Sequence, residues 1–444
     1  MKKFVTDILS EKYFLEMEIS TRIPDCFWEW SLICLLPTIK KQKWLGLGGA
    51  ITQSSCFNYQ KLSKEKQQDF LRLYYSQEGL NYQYGRLPIG SQDFSSENYS
   101  YSEQQDLKDF SIAKDRQLLF PLLKDILNVK KVSLLASPWS PPAFMKDNNS
   151  LVNGGKLKKE YYKRYAEYLI RYLKEYEEDR IPIDYLTVQN EPFAKQKWES
   201  CVWTTEEQQD FIYHYLIPRM KKEKLSTKIF LWDHNKERLY KHACELYPKK
   251  NTYIAGMAFH WYVGTFFENL KLVHETFPEL LLFETEMCTG YAPYNEKEWI
   301  KDACLYMNEI LGNINNGMNA FIDWNILLDF HGGPNHAENY CKSPIILNER
   351  ADDFICTPIY YYLKHLSLIP VGSHVIFSSA YRNDLITTAL EDEEKNIYVI
   401  VLNPTNEPKE CCLLEGEELM QDFISPYGVH TYIMKQNKLN LTKK

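Results

Sequence analysis

The chain has no surplus of positive charge, no apolar stretch long enough to cross a bilayer and no CxxC pair. Each absence removes support for a class of function. With 52 Lys and Arg against 59 Asp and Glu, the net charge is −7, so a nucleic-acid or anionic-membrane surface gains no support. The one basic cluster, residues 156–163, is soon balanced by Glu175, Glu177, Glu178 and Asp179, which reads as a solvated helix face. The longest apolar run, residues 31–39, is too short for a membrane span and contains Pro37. The first residues, Met1-Lys2-Lys3-Phe4-Val5-Thr6-Asp7, show no apolar core of a secretory signal. Eleven cysteines, odd in number and with Cys411 and Cys412 adjacent, therefore read as reduced thiols, and a cytoplasmic location is expected. A GxSxG nucleophile motif is missing, and Gly46-Leu47-Gly48-Gly49 lacks the GxGxxG spacing of a dinucleotide turn. No His, Cys and carboxylate set has metal-ligand spacing, so neither a metal nor another cofactor is expected.

What is present is an alternation of two periodicities along 444 residues. Short strand-like runs at 44–49, 82–89, 131–136, 183–189, 228–233, 254–260, 280–286 and 320–325 are separated by helix-periodic segments. The clearest helix is 156–178, where Tyr161, Tyr165, Leu169, Tyr172, Leu173 and Tyr176 form one apolar stripe. Acidic first turns at Thr205-Glu206-Glu207 and Glu296-Lys297-Glu298 mark two further helices. Eight such strands alternating with helices predict a (β/α)8 TIM barrel over residues 37–366. The two ends differ. Runs such as Tyr13-Phe14-Leu15-Glu16-Met17 and Asn396-Ile397-Tyr398-Val399-Ile400-Val401 alternate with period two, with turn signals between successive runs. Residues 1–36 and 367–444 are therefore expected to form one antiparallel β-sandwich flanking the barrel.

In a barrel of this kind, functional residues stand at the carboxyl ends of the strands. The second strand delivers Arg86 and Asp93, the third Trp139, and the fourth Asn190 and Glu191. The sixth gives His260 and Tyr262, the seventh Glu286, the eighth Trp324 and Asn325. Glu191 and Glu286 lie 95 positions apart, each closing an apolar run, and a carboxylate there is costly without a partner or a task. Two of them suit acid/base and nucleophile chemistry on a sugar. As a general acid Glu191 is expected to have a raised pKa. Glu284 shares parity with Glu286, so by alternation both face inward, and spacing alone leaves the choice between them open. Arg86 is either a buried ion-pair partner or a substrate contact. Trp139 and Trp324 read as sugar platforms or as core.

Taken in order, further motifs resemble glycoside hydrolase family 30, especially its glucosylceramidase-like branch. They are Gly46-Leu47-Gly48-Gly49-Ala50, Arg86-Leu87-Pro88, Ser137-Pro138-Trp139-Ser140, Gln189-Asn190-Glu191-Pro192, His260-Trp261-Tyr262, Phe283-Glu284-Thr285-Glu286-Met287-Cys288, Asp323-Trp324-Asn325 and Ser425-Pro426-Tyr427-Gly428. The resemblance implies a (β/α)8 barrel with a side β-sandwich built from both chain ends. It implies Glu191 as acid/base and Glu286 as nucleophile of a retaining double displacement, with carboxyls ~5–5.5 Å apart. Arg86, Asp93, Trp139, Asn190, Tyr262 and Trp324 match positions that line or support the sugar pocket. The implied partner is a β-glucoside or β-linked oligosaccharide cleaved from its end. An endo-β-1,6-glucanase and a β-xylosidase are the alternatives within the family, and a non-catalytic carbohydrate-binding barrel is the alternative outside it. His336 after Gly333-Pro334-Asn335, and Asp233-His234-Asn235-Lys236, depart from the animal lysosomal members. Both departures are expected near the leaving group and point away from ceramide.

Overall fold

The computed structural model describes residues 1–19, 31–381, 384–415 and 418–435. Eight parallel strands close into a barrel: β1 Gly46–Ala50, β2 Tyr84–Ile89, β3 Ser133–Pro138, β4 Tyr185–Leu186, β5 Lys228–Asn235, β6 Ile254–His260, β7 Leu281–Glu286 and β8 Ala320–Asp323. The ring closes where β8 pairs with β1, Ala320 opposite Gly46 through Asp323 opposite Gly49. The glycines of β1 serve this closure and no phosphate. A Cβ on Gly48 would stand 2.6 Å from Tyr84 Cβ and from its carbonyl oxygen, so only glycine lets the two strands approach. Inside the ring, Tyr84, Leu135, Phe230, Ala258, Phe283, Ala320 and Ile322 form a closed apolar plug. That plug makes the lower barrel a packed core and leaves only the carboxyl end free for chemistry.

The outer layer is helical. Tyr162–Glu178 buries Tyr165, Leu169, Tyr172, Leu173 and Tyr176, the stripe its periodicity predicts. It starts later than expected, because Lys159–Tyr161 forms a 3-10 turn, and Tyr161 is only half-buried. Thr204 caps the helix Thr205–Phe211 with a reciprocal bond to Glu207, and Asn295 caps Glu296–Asn315. Strand β4 is two residues long, far shorter than the run 183–189. The chain beyond it keeps single ladder bonds, Thr187 N to Ala136 O at 3.0 Å and Asn190 N to Pro138 O at 2.7 Å.

Both chain ends meet in one antiparallel seven-stranded sheet, ordered Lys12–Met17, Lys2–Asp7, Val429–Lys435, Asn396–Leu402, Ile386–Glu391, His374–Ala380, Ile33–Lys43. A hairpin of Lys409–Glu415 and Glu418–Ile424 lies across it as the second layer. Alternation sorts the faces: Ile397, Val399 and Val401 pack with Cys411, Leu413, Met420 and Ile424, whereas Tyr398, Ile400 and Leu402 join the main core. Strand Ile33–Lys43 runs through the division expected at 36/37, paired with His374–Ala380. Positions 20–30, 382–383, 416–417 and 436–444 of the expected side domain, Cys26 among them, lie outside the described residues. All ten described cysteines are free thiols. Among the described residues, no helix is long and apolar enough to cross a membrane.

Candidate active site

A cavity of about 340 Å³ opens at the carboxyl end of the barrel. Asp93, Trp139, Asn190, Glu191, Tyr262, Glu286 and Trp324, all anticipated from strand-end position, line it. Arg86, left open between ion-pair partner and substrate contact, and the strand-end candidates His260 and Asn325 do not line it. All three are fully buried and act from behind its wall. Asn325, at φ +64, turns its amide oxygen to accept from Thr52 Oγ1 at 2.6 Å, which secures the cap of the helix Gln53–Lys61.

Arg86 organises the floor. Its Nη1 donates to Glu286 Oε2 at 2.6 Å, and its Nη2 donates to Asn190 Oδ1 at 2.7 Å and to Asp233 Oδ2 at 3.0 Å. The guanidinium lies 5.0 Å from the Trp139 ring centroid and 5.5 Å from that of Trp324, two indoles stacked at 5.3 Å. Burial opposes its charge, but the carboxylates of Asp233 and Glu286 outweigh burial and hold its proton more tightly than usual. Glu286 is held on both oxygens, since Tyr262 Oη donates to Oε1 at 3.0 Å.

Asp233 is the residue that sequence reasoning marks only as a departure. Its Oδ2 accepts from Ser137 at 3.0 Å and Thr187 at 2.7 Å, besides Arg86; its Oδ1 accepts from Thr285 at 2.7 Å and lies 3.2 Å from His260 Nε2. Burial would raise its pKa, yet the charge of Arg86 and the imidazole of His260 hold it far below the carboxylate range. It stands at the end of an apolar strand, the same signal that marks Glu191 and Glu286, and that criterion applied evenly would have found it. Its placement needs unusual backbone. Trp232 and Asp233 take φ +78 and +63, and the β5–β6 ladder slips between Trp232 and His234. This bulge turns Asp233 into the barrel and His234 toward the cavity.

A second slip decides the seventh strand. Glu284 pairs with Phe259 and Glu286 with His260, so Thr285 is the extra residue. Phe283 faces the plug and Thr285 faces Asp233. Glu284 points the other way, accepting from Asn313 Nδ2 of the helix Glu296–Asn315 at 2.9 Å. The expectation that Glu284 and Glu286 both face inward is thus corrected: the bulge breaks their shared parity.

Glu191, at φ +47, is anchored by its own N–H donating to Asp233 O at 2.9 Å. Its Oε1 lies 3.3 Å from His260 Nδ1 and 3.6 Å from His234 Nδ1. Burial pushes its pKa up, but the two imidazoles prevail and hold it below the usual range, opposite to the raised value expected. Burial acts against His260 as well, and the carboxylates of Glu286, Asp233 and Glu191 push it up to about 9. The proton of the Glu191–His260 pair therefore rests on the imidazole. Glu286 Oε1 lies 4.0 Å from the same Nδ1, so both carboxylates converge on one ring nitrogen. Asp93 sits across the cavity, its Oδ2 accepting from Asn339 at 2.9 Å, and burial pushes it up to about 8.

Strand-end reasoning does not reach the loop residues. His234 and Asn235 close β5, within the segment 233–236 expected near the leaving group, whereas Gln196 and Trp198 come after β4 and Asn339 and Tyr340 belong to the connection after β8. These lie where no periodicity marks them. His336, expected near the leaving group, is not part of this cavity; its Nδ1 lies 3.0 Å from Ser95 O and it lines a separate depression. Although no metal spacing is visible in the sequence, the fold draws Glu191, His234 and His260 into a set whose ligand atoms lie within 4.8 Å of one another.

The model of the glycosyl hydrolase family 30 TIM-barrel domain matches residues 44–369. The chain belongs to glycosyl hydrolase family 30. It is 31% identical over 435 residues to the mouse lysosomal acid glucosylceramidase, covering 91% of this chain and 84% of that one. It is 24% identical over 359 residues to an endo-1,6-β-D-glucanase of Neurospora crassa, covering 77% and 73%. Among solved structures, SrfJ from Salmonella typhimurium superposes with a TM-score of 0.92 at 32% identity, covering 98% of this chain and 99% of that chain. The endo-β1,6-glucanase BT3312 superposes with a TM-score of 0.86 at 27% identity, with the same coverage. As a family 30 member the chain is a glycoside hydrolase, and its substrate is a glycoside.

Proposed function

We propose that this family 30 enzyme releases a terminal β-linked glucosyl residue by retaining double displacement, with Glu286 as nucleophile and Glu191 as acid/base. One observation carries the assignment: Glu191 and Glu286 face one cavity and converge on His260 Nδ1, at 3.3 and 4.0 Å, while Glu284 is turned outside the barrel wall. Glu286, oriented by Arg86 and Tyr262, attacks the anomeric carbon. Glu191, receiving the proton held on His260 Nδ1 at 3.3 Å, passes it to the leaving oxygen, and afterwards takes one from the water that frees the sugar. Asn190, fixed by Arg86, is placed for the sugar 2-hydroxyl, and Asp93 for hydroxyls on the far side of the ring. Trp139 and Trp324 supply one apolar wall.

The leaving-group side, next to Glu191, carries Gln196, His234 and Asn235. Their polarity supports a hydroxyl-rich aglycone, a second sugar, over a lipid. The glucosylceramidase and the endo-1,6-glucanase share a glucosyl unit by name and differ in the group joined to it. The polar side favours the β-1,6-linked reading. Turnover of aryl β-glucoside, aryl β-xyloside and the β-1,6 disaccharide gentiobiose tests it. The expected order is glucoside over xyloside, with gentiobiose cleaved and the anomeric configuration retained in the first product. Inverted product, or full activity in E286Q, overturns it.

A further inference from the structure

We infer that Glu191, His234 and His260 form a binding site for a borderline-soft divalent cation, with zinc as the natural probe, at the acid/base end of the cavity. The donor set suits such an ion: two imidazole nitrogens and one carboxylate oxygen, too few oxygens for calcium or magnesium. The spacing suits it as well. A tetrahedral zinc with bonds of ~2.1 Å has ligand–ligand edges of ~3.4 Å. The edges from Glu191 Oε1 measure 3.3 Å to His260 Nδ1 and 3.6 Å to His234 Nδ1. The third edge lies within 4.8 Å.

Two further features point to a ligand. His234 Nδ1 is buried and has no hydrogen-bond partner among the described residues, although its ring is aimed at Glu191. A polar atom in that state is costly unless something visits it. The far nitrogen of His260 lies 3.2 Å from Asp233 Oδ1, which is itself held by Thr285. A carboxylate behind a ligand imidazole orients that imidazole and makes it a better donor. The local charge also favours a cation: Glu191, Asp233 and Glu286 surround His260 and are met by Arg86, so an ion that takes the place of the His260 proton keeps positive charge among them. The bulge at Trp232 and Asp233 produces both features at once, sending Asp233 behind His260 and His234 beside Glu191.

Coordination engages the Glu191 oxygen and displaces the Nδ1 proton of His260 to solvent, with no change in oxidation state. An occupied site cannot deliver a proton through Glu191, so the ion inhibits turnover reversibly. That consequence rests on the function proposed above; the binding itself does not. The test is calorimetric titration of the metal-free full chain with zinc chloride, together with the visible spectrum of the cobalt(II) form. One equivalent is expected to bind, without a thiolate-to-cobalt charge-transfer band. Affinity is expected to fall about tenfold or more in both H234A and E191Q, and to be unchanged in H214A, an exposed histidine paired with Asp210. Absence of saturable binding, a thiolate band, or equal affinity in H234A and wild type overturns the inference. Zinc binding without any glycosidase activity sinks the proposed function and leaves this site standing. Full activity indifferent to zinc does the reverse.

Discussion

Two buried charge clusters lie on opposite sides of β7, and their contrast supports the choice of Glu286 over Glu284 in the proposed mechanism. On the cavity side, Glu286 and Asp233 share Arg86, and each carboxylate oxygen has at least one donor. On the helix side, Glu284 and Glu309 share Asn313, with Lys236 bonded to Glu309 and, at 2.7 Å, to Asn313. Here Glu284 Oε1 has no hydrogen-bond partner among the described residues. Burial, reinforced by the charge of Glu309, pushes Glu284 up to about 8. Glu284 and Glu286, two residues apart on β7, thus end in different settings: one sealed behind the barrel wall and held toward its protonated form, the other bonded to Arg86 at the cavity. The difference is set by one inserted residue, Thr285.

The sharpest way to break this contrast is to neutralise each acid in turn. E286Q is expected to lower kcat on an aryl β-glucoside by about 10⁴-fold or more, the scale of losing one member of a catalytic unit. E284Q is expected to stay within about tenfold of wild type, because its target is not in the cavity. A fall in E284Q comparable to E286Q would reverse the assignment. The cations come next in size. Arg86→Met removes the guanidinium that bonds Glu286 and Asp233 and is expected to cost about 3–5 kcal/mol of stability, read as a shift of the urea midpoint. Lys236→Met is expected to cost less, since Glu284 and Glu309 are both held toward their protonated forms. Equal losses would mean that the two clusters do not differ in charge state.

The contrast also marks what is legible in the chain. Strands, helices and the pairing of both ends follow from periodicity, because alternation at Ile397 to Leu402 and the stripe Tyr165 to Tyr176 are direct products of burial. Glu191 and Glu286 are visible because a charge closing an apolar run is conspicuous. The inward facing of Glu284 is a misreading that arises because period-two counting assumes an unbroken ladder, and a bulge leaves no compositional mark at Thr285. The inward turn of Asp233 is hidden by the same device at Trp232 and Asp233, two non-glycine residues in left-handed backbone, while His234 is marked only as part of the segment 233–236. The loop residues Gln196 and Tyr340 are out of reach, since their meeting depends on the closed ring and not on local pattern.

The charge state of Glu284 gives a test in pH. In the unfolded chain its carboxyl ionises near the ordinary value of 4.5, whereas in the fold it keeps its proton up to about 8. Between those values the folded state binds more protons, so its contribution to stability falls as pH rises and levels off above about 8. The glutamine variant carries no such loss. The Tm of E284Q minus that of wild type is therefore expected to grow from pH 4.5 to 8 and then flatten. A difference that shrinks over this range would mean an ionised Glu284 in the fold.

The smallest effect tests the inserted residue itself. Thr285 Oγ1 donates to Asp233 Oδ1 at 2.7 Å, one of several donors that keep that carboxylate ionised behind His260. Valine has the same shape and no donor, so T285V leaves the bulge in place and removes one charge-assisted bond. The expected cost is about 1.5–3 kcal/mol, with kcat reduced by less than about tenfold, because Arg86, Ser137 and Thr187 still hold the other oxygen. The outcome separates two roles for the bulge. If its only task is to carry Glu286 into the cavity, T285V is silent in stability and activity alike. If it also supplies a donor to Asp233, stability drops while Glu286 keeps its position, and the loss of kcat on aryl β-glucoside stays far smaller than in E286Q.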